Sequence, residues 1–206
     1  MRPIVVIGAG GHAKAIAGAL LASGESPAGL LMLDDDEAKW GTMVLGIRVS
    51  GPISELAATR GRRAVLGIGD NGLRKRLAAL LQVEWITLVH PRAWVDPSVQ
   101  LGPGTVIAAG ATIQPDTVIG AHAIINTGAC VDHDCAIGDF VHLAPGVHLA
   151  GAVTVKEGAT LGTGANVIVG VTVGAWTRVG AGAAVVRDLP DGVTAVGVPA
   201  RPLRHG

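Results

Sequence analysis

The chain has 206 residues, which allows one or two domains. Its formal net charge is zero, with 16 Lys and Arg against 16 Asp and Glu, so binding to nucleic acid or to a membrane surface has no electrostatic support. Glycine is abundant at 31 residues and aromatic residues are scarce, a composition that favours thin, tightly turning structure over a thick layered core.

Residues 1–90 alternate between apolar runs and helical segments. The run PIVVIG at 3–8 is followed by the glycine-rich turn Gly8–His12 and by a helix rich in Ala and Leu that ends near Ser23. Apolar runs at 30–33, 64–69 and 85–89 predict three more strands, and LRKRLAALL at 73–81 predicts a second helix. Strands that alternate with helices indicate a small, Rossmann-like parallel α/β sheet, which we assign as an N-terminal domain over 1–90.

Polar and glycine residues follow the strands of this predicted sheet. Ligands of parallel α/β sheets bind beyond the carboxyl ends of the strands. Backbone N–H groups of the first turn and of the following helix N-terminus can hold phosphate, and carboxylates of the second strand end can accept hydrogen bonds from a ribose or a base. We therefore expect a nucleotide or nucleotide sugar to contact a set of six residues, namely Gly10, Gly11, His12, Asp34, Asp35 and Gly69.

The first turn also fits a dinucleotide-binding pattern. Gly8-x-Gly10-x-x-Ala13 matches the loose G-x-G-x-x-[GA] form, and Asp34 follows at about the expected distance of ~20 residues. A dinucleotide fold needs two βαβαβ halves, however, and only about 90 residues precede the repeat described next. A mononucleotide half-site is the preferred interpretation, with an NAD-like site and a purely structural turn as the alternatives.

Sixteen consecutive six-residue units run from Val95 to Pro190, and each begins with Val, Leu or Ile. The fifth residue of a unit is small or β-branched except at Leu189, and the fourth is often Gly. This period matches neither a helix nor a single strand, but it suits short strands joined by tight corners, with the first residue pointing inward. Three units make one triangular coil, and coils stack at about 4.8 Å. The repeat predicts a parallel β-helix, which we assign as a second domain over 91–206.

Two features of the chain raise other possibilities. The mean hydropathy of +0.48 and the charge-free stretch 158–177 could suggest a membrane span, but that stretch keeps Gly and Thr in the six-residue register. His12 and Lys14 interrupt the first apolar run, so it does not read as a signal peptide and we expect a cytoplasmic protein. We expect Cys130 and Cys135 to be buried free thiols, with a disulfide or metal pair as the alternative.

One unit of the repeat carries polar and reactive residues in a row, Asp132-His133-Asp134-Cys135. An imidazole with its usual pKa near ~6.5 can accept a proton at neutral pH, and a neighbouring carboxylate can fix its tautomer and stabilise the imidazolium. His133 is therefore the candidate general base, and a solvated surface histidine is the alternative. We assign His122 and His148 to the surface or, in the trimer that the resemblance described next implies, to its interface.

The chain resembles the bacterial nucleotide-sugar and sialic-acid-pathway acetyltransferases, a branch of the hexapeptide-repeat acyltransferases. Five segments carry the resemblance in the same order: GAGGHAK, LDDD, GIGDNGLRKRL, VDHDCAIGDFVHLAPGVHLAG and GVPAR. The resemblance implies a left-handed β-helix and a homotrimer with active sites between subunits. It also implies that His133 is the general base, that Asp134 orients its ring, and that acetyl-CoA contacts a set of three residues, namely His142, Gly151 and Thr163. No metal is expected.

The resemblance implies acetyl transfer from acetyl-CoA to a nucleotide-linked amino sugar, most simply N-acetylation of a 4-amino-4,6-dideoxy sugar without an acyl-enzyme. O-acetylation in a sialic-acid pathway is an alternative within the same family. A carbonic anhydrase-like metalloenzyme and a non-catalytic nucleotide-sugar binding protein are alternatives of other classes. Pairs of His ligands five residues apart would favour the metalloenzyme, but His142 and His148 are six apart.

Overall fold

The computed structural model describes residues 3–56 and 61–203. The chain divides into two compact units, residues 1–91 and 92–206. The first unit is an α/β sheet with helices and the second is a parallel β-helix, as the sequence predicts, and this β-helix is left-handed, as the resemblance implies.

The first unit is built on one six-stranded sheet whose order is β3-β4-β2-β1-β5-β6. Its strands are β1 (Ile4–Ile7), β2 (Leu30–Leu33), β3 (Met43–Val44), β4 (Ile47–Gly51), β5 (Arg63–Leu66) and β6 (Glu84–Trp85), followed by a short strand β7 (Leu88–Val89). Among the residues that the structure describes, the α-helices of this unit are α1 (Gly11–Ala22) and α2 (Asn71–Leu80), and 3₁₀ helices lie at Pro27–Gly29, Glu37–Lys39 and Ile53–Leu56. All pairings in the sheet are parallel except β3 with β4. The apolar strands β1 and β5 are almost wholly buried, which explains their uninterrupted Val, Ile and Leu.

Two details of this unit differ from the sequence prediction. The single strand expected at 85–89 is two short strands, β6 and β7. The hairpin β3–β4 was not expected, because its two-residue turn is Leu45-Gly46 rather than the Asn-Gly or Asp-Gly that usually marks such a turn. Both turn residues have positive φ, 50° for Leu45 and 79° for Gly46, as a two-residue hairpin turn requires.

The second unit is a stack of two-residue strands on three faces, which we call face A, face B and face C. Face A carries β10 (Val106–Ile107), β13 (Ile124–Ile125), β16 (His142–Leu143), β19 (Thr160–Leu161), β22 (Arg178–Val179), β24 (Thr194–Val196) and β25 (Arg201–Pro202). Face B carries β8 (Trp94–Val95), β11 (Thr112–Ile113), β14 (Cys130–Val131), β17 (His148–Leu149), β20 (Asn166–Val167) and β23 (Ala184–Val185). Face C carries β9 (Gln100–Leu101), β12 (Val118–Ile119), β15 (Ala136–Ile137), β18 (Thr154–Val155) and β21 (Thr172–Val173).

The predicted roles of the repeat positions are confirmed inside the β-helix. The first residues of the units, from Ile107 to Val185, are buried and form one continuous core. The fifth residues, from Thr105 to Leu189, are buried as well. The fourth residue of the units from 101–106 to 179–184 takes a positive φ, 70° at Gly110 for example, which glycine adopts at little cost. Each coil is 18 residues long, so His133 pairs in position with residue 151 of the next coil.

His122 corrects one expectation. Its side chain is only 5% exposed within the single chain, so the predicted position at the surface or at a trimer interface is wrong. Its ring stacks on Phe140 of the next coil, with 5.3 Å between ring centroids and 4° between the planes. The prediction that both cysteines are buried free thiols is confirmed for Cys135 only, because Cys130 is half-buried; both cysteines are free.

Candidate functional site

The first candidate site lies at the carboxyl ends of β1, β2 and β5. A pocket of about 340 Å³ there is lined by all six residues that the sequence predicts to contact a nucleotide: Gly10, Gly11, His12, Asp34, Asp35 and Gly69. A β-carbon built on Gly10, Gly11 or Gly69 would meet no protein atom within 4 Å. Nothing in the protein's own packing therefore requires glycine at these positions, and their bare backbone leaves space for a ligand to approach closely.

The helix α1 presents its amino terminus to this pocket. Gly10 is its N-cap and supplies no side-chain hydrogen bond, and neither Asp nor Glu occurs in the first turn, so the described residues leave the helix end open to an external anion. Ala13 is fully buried, and a β-carbon on Gly67 of the neighbouring loop would lie 2.6 Å from the Ala13 β-carbon. This contact explains why both positions are small: it brings α1 close to the strand that bears the loop.

Asp34 holds the glycine-rich loop and the second strand end together. Its carboxylate accepts the N–H of Ala9 at 2.7 Å and that of Asp36 at 2.9 Å, and it lies 3.2 Å from Lys39 Nζ. Burial alone would raise the pKa of Asp34, but the Asp36 and Ala9 amides and the Lys39 ammonium outweigh it and lower this pKa. Asp34 is therefore an anion that shapes the site, while Asp35 is exposed and uses Oδ1 to accept the N–H of Ile53 at 2.9 Å.

Arg74 is a buried cation beneath the same pocket that the sequence analysis missed. It is 1% exposed, and its guanidinium donates to the carbonyls of Ile68 and Gly69, the latter at 2.9 Å. Burial, and after it the charge of Arg74, lower the pKa of His12 to about 4, so His12 is neutral at pH 7. Arg74 lies three residues before the buried Leu77, so it is on the inward side of α2. This spacing could have indicated from the sequence that Arg74 is buried. Lys39 was also missed, and it carries no comparable signal.

The second candidate site is the corner between face B and face C that carries Asp132-His133-Asp134-Cys135. His133 Nδ1 lies 2.7 Å from Asp134 Oδ2, and the two side chains are 58% and 61% exposed. Because an ionised carboxylate can only accept, Nδ1 carries the hydrogen and the neutral ring has its lone pair on Nε2. The hydrogen bond to Asp134, and after it the charge of Asp132, raise the pKa of His133 above its usual value.

The backbone of this corner fixes where the two side chains point. Asp134 has a φ of 59°, a left-handed conformation that Asp tolerates better than most residues. The N–H of His133 donates to Asp132 Oδ1 at 2.8 Å. Cys135 points inward with its thiol 3.3 Å from the Ala150 carbonyl, and burial raises the pKa of that thiol. The corner therefore presents an imidazole to solvent and keeps the thiol inside and protonated.

The three residues expected to contact acetyl-CoA lie in different parts of the β-helix. Gly151 lies under the His133 ring, since a β-carbon on it would be 2.7 Å from His133 Cε1. Thr163 is exposed at the corner between faces A and B. His142 is half-buried at the start of β16 on face A, where its Nε2 lies 3.2 Å from Asn126 Nδ2. The chain therefore brings Gly151 to His133 and places His142 on the face opposite the His133 corner.

Two general features of the described residues complete this picture. Across 3–56 and 61–203, no three side chains of His, Cys, Asp or Glu are grouped so that they could hold a metal ion. The same residues include no helix that combines the length and the apolar character needed to cross a membrane.

The first unit is similar to a known domain family, and the whole chain is similar to known proteins. Residues 3–81 match the family described as the PglD N-terminal domain. UDP-N-acetylbacillosamine N-acetyltransferase of Bacillus subtilis is 46% identical over 119 residues. The chain spans 21% and 52% of the lengths of two curated relatives that it matches.

Solved structures match over nearly the whole chain. PerB of Caulobacter crescentus, solved with CoA and GDP-perosamine, is 46% identical, with a TM-score of 0.91 over 99% of this chain and 98% of that chain. The acetyltransferase domain of PglB from Neisseria gonorrhoeae, solved with acetyl coenzyme A, is 38% identical, with a TM-score of 0.90 over 98% and 99%. This identity and coverage show that the chain belongs to the nucleotide-sugar N-acetyltransferases of the hexapeptide-repeat acyltransferase family.

Proposed function

We propose that this protein transfers the acetyl group of acetyl-CoA to the amine of a nucleotide-linked 4-amino-4,6-dideoxy sugar, with His133 as the general base. The observation that carries the proposal is the 2.7 Å contact of His133 Nδ1 with Asp134, which leaves the lone pair of Nε2 at an exposed corner. Two similar proteins, the perosamine N-acetyltransferase of Caulobacter crescentus and the UDP-N-acetylbacillosamine N-acetyltransferase of Bacillus subtilis, are N-acetyltransferases by name, and this supports nitrogen rather than oxygen as the acceptor atom.

The proposed reaction is a direct transfer. The neutral amine attacks the thioester carbonyl, and His133 Nε2 takes the proton that the nitrogen loses as the new C–N bond forms. The tetrahedral intermediate then breaks its C–S bond, and the proton passes to the departing CoA sulfur, so the base is regenerated. Because the amine attacks the thioester directly, the reaction needs no acyl-enzyme. Cys135 is also a poor candidate to form one, since its thiol is buried with a raised pKa.

The nucleotide is proposed to occupy the pocket of the first unit. Its phosphates would lie against Gly10, Gly11 and the amino terminus of α1, where the backbone is bare and the helix dipole favours an anion. The exposed carboxylate of Asp35 is then placed to accept hydrogen bonds from the ribose or base, and Asp34 acts by shaping the loop.

Acetyl-CoA is proposed to bind in a homotrimer, between neighbouring β-helices. The support is geometric: His133 and Gly151 share one corner of the coil, whereas His142 lies on the opposite face of the same subunit. In a closed ring of three subunits, the corner of one copy faces a different surface of the next, so His133 of one subunit and His142 of its neighbour can serve one cofactor. Thr163 is the third proposed contact. We place the reaction in the cytoplasm, where acetyl-CoA and nucleotide sugars are made.

The test is a thiol-release assay with acetyl-CoA and a panel of 4-amino-4,6-dideoxy sugars linked to GDP, UDP or dTDP. We expect turnover with at least one of them, and a His133→Ala variant should lose about 100-fold or more in kcat, as loss of a general base does. Nucleotide affinity and the thermal midpoint of that variant serve as controls and should stay near those of the parent. Turnover of none of the panel, with nucleotide binding retained, would favour a binding protein, and near-normal kcat for His133→Ala would exclude His133 as the base.

A further inference from the structure

Thr117 has a buried hydroxyl and occupies the fifth, inward position of its unit, one coil before Cys135. Its Oγ1 donates to the carbonyl of Asp132 at 2.9 Å and accepts the N–H of Cys135 at 3.2 Å. Asp132 and Cys135 are the first and last residues of the corner that carries His133 and Asp134. A single hydroxyl therefore bridges the two ends of this corner from inside the core.

Several other corners of the β-helix are closed without a bridging hydroxyl. At Asn126–Ala129 and at Gly162–Ala165, the N–H of the last residue donates directly to the carbonyl of the first, in both cases at 3.0 Å. At the His133 corner, the corresponding N–H and carbonyl both bond to the inserted Thr117 hydroxyl. The hydroxyl takes the place of the usual turn hydrogen bond and holds the two ends of the corner one oxygen atom further apart.

The remaining hydrogen bonds of the corner come from its own residues and from the neighbouring coils. The N–H of Asp134 donates to the Pro115 carbonyl at 3.1 Å, and the His133 carbonyl accepts the N–H of Ala152 at 2.9 Å. These bonds fix the corner along the stacking direction. Among these contacts, only the two hydrogen bonds of Thr117 act across the corner, between Asp132 and Cys135. A change in the distance between these two ends would turn His133 and Asp134 relative to each other.

We propose that Thr117 is a positioning residue for the acetyl-transfer reaction: its hydroxyl sets the width of the corner so that Asp134 reaches His133 Nδ1 and the imidazole lies over Gly151. The inference rests on the proposed function, in which His133 is the base. The methyl group of Thr117 suits this apolar core. Its hydroxyl both donates and accepts a hydrogen bond, so burying it leaves no unpaired polar atom that would destabilise the fold.

The chain contains a matched control for this hydroxyl. Thr105 occupies the same inward position in another unit and is also fully buried. Its Oγ1 donates to the Gly120 carbonyl at 2.7 Å and accepts the N–H of Ala123 at 3.2 Å, so it bridges a corner in the same way. That corner carries none of the residues of the proposed chemistry. Replacing Thr105 removes the same two bonds without touching the His133 corner.

The experiment compares Thr117→Val, Thr105→Val and Thr117→Ser with the parent protein and with His133→Ala. Valine keeps the shape of threonine and removes the hydroxyl, so the freed N–H and carbonyl must bond each other or remain unpaired, and the corner narrows. We expect both valine variants to lower the thermal midpoint by similar amounts. Only Thr117→Val should lower kcat, by about tenfold, because displacing a catalytic group by a fraction of an ångström costs this order of rate. Thr117→Ser should return kcat to within about twofold of the parent.

A second readout does not depend on turnover. The pKa of His133 can be followed by NMR of its Cε1–H, with His133→Ala used to assign the signal. We expect Thr117→Val to move this pKa down towards ~6.5 as the contact with Asp134 loosens, and Thr105→Val to leave it in place. Equal kcat and equal His133 pKa in the two valine variants would overturn the positioning role. If His133→Ala itself keeps normal kcat, the proposed base is wrong, a result that is separate from the comparison of the two threonines.

Discussion

The imidazole of His133 lies directly over Gly151, the residue that occupies the same position one coil further along the β-helix. A β-carbon at Gly151 would come within 2.7 Å of His133 Cε1 and 2.8 Å of Nε2. The φ of Gly151 is not in the left-handed region, so its backbone would accept another residue. Any larger residue here would therefore displace the imidazole ring that covers this position. The same absence of a side chain keeps Nε2, the proposed basic atom, from being blocked.

Replacing Gly151 with alanine tests this relationship. The added methyl must push the imidazole away from the corner, which moves Nε2 and strains its contact with Asp134. We expect Gly151→Ala to lower kcat by about tenfold or more while the first unit keeps its affinity for nucleotide. Steady-state kinetics and calorimetry with the nucleotide measure the two quantities. An alanine variant with unchanged kcat would mean that the position of the ring over Gly151 has no part in catalysis.

The carboxylate of Asp134 should control the pH dependence of the reaction. It raises the pKa of His133, and the base must be unprotonated to act. The kcat should therefore rise with pH through a value above ~6.5 in the parent protein. Asp134→Asn keeps a residue that accepts the left-handed φ but removes the charge, so the rising limb should move to lower pH and the plateau of kcat should fall by about tenfold or more.

Asp116→Asn is the matched control for this variant. Asp116 lies one coil earlier at the same unit position, with a φ of 60°, and is likewise exposed. Its substitution should leave both the plateau of kcat and the pH of the rising limb unchanged. Because the amine of the sugar also has to lose a proton, the His133 pKa measured by NMR separates the contribution of the enzyme from that of the substrate. A rising limb that is the same in Asp134→Asn and in the parent would contradict the role of the carboxylate.

Mixing two inactive variants tests the proposed site between subunits. His133→Ala and His142→Ala should each be strongly impaired. If one subunit supplies His133 and its neighbour supplies His142, trimers reassembled from equal amounts of the two variants contain intact sites at about one interface in four. We expect about a quarter of the parent activity after co-refolding or co-expression, and light scattering should show three copies. Activity no higher than that of the separate variants would place both histidines in one subunit's site or remove His142 from it.

Gly11 and Gly18 give a matched pair within helix α1. A β-carbon at Gly11 would project into open space at the pocket, whereas one at Gly18 would lie 3.9 Å from Leu45 Cδ1, an ordinary contact. Alanine in place of glycine stabilises a helix interior by about 0.5–1 kcal/mol. We expect Gly18→Ala to raise the thermal midpoint and leave nucleotide affinity unchanged. Gly11→Ala should keep the fold and weaken binding of GDP or UDP by about tenfold, since the methyl occupies the space proposed for phosphate. Equal affinities in the two variants would argue against a phosphate at this helix end.

The six-residue period was sufficient to predict most of the β-helix. It predicts which residues point inward, because the first and fifth positions repeat without a gap and only apolar or small side chains fit there. It does not predict that a polar ring such as His122 can be buried at a fourth position, since that depends on the partner ring of Phe140 a full coil away. Pairwise side-chain contacts of this kind are not visible in the period of a single sequence.

The residues of the candidate sites were also predictable from the sequence only in part. All six residues that were predicted from the strand ends of the first unit line its pocket, because parallel strands bring their carboxyl ends to one edge. Arg74 was missed because it looks like a surface residue of a basic helix, although its spacing places it inward. The opposite placement of His133 and His142 was available from arithmetic alone: they are nine residues apart, which is half of an 18-residue coil.

The coil length also restricts how this enzyme can be remodelled. Each additional or deleted turn of 18 residues shifts everything beyond it by about 4.8 Å along the axis and returns every side chain to the same face. The distance from the base to any cofactor contact on a later turn can therefore change only in whole steps of that size. An acyl group that is longer or shorter than acetyl by one or two carbons changes the required distance by less than one such step. Adaptation to other acyl groups would therefore have to come from single side chains at the corners.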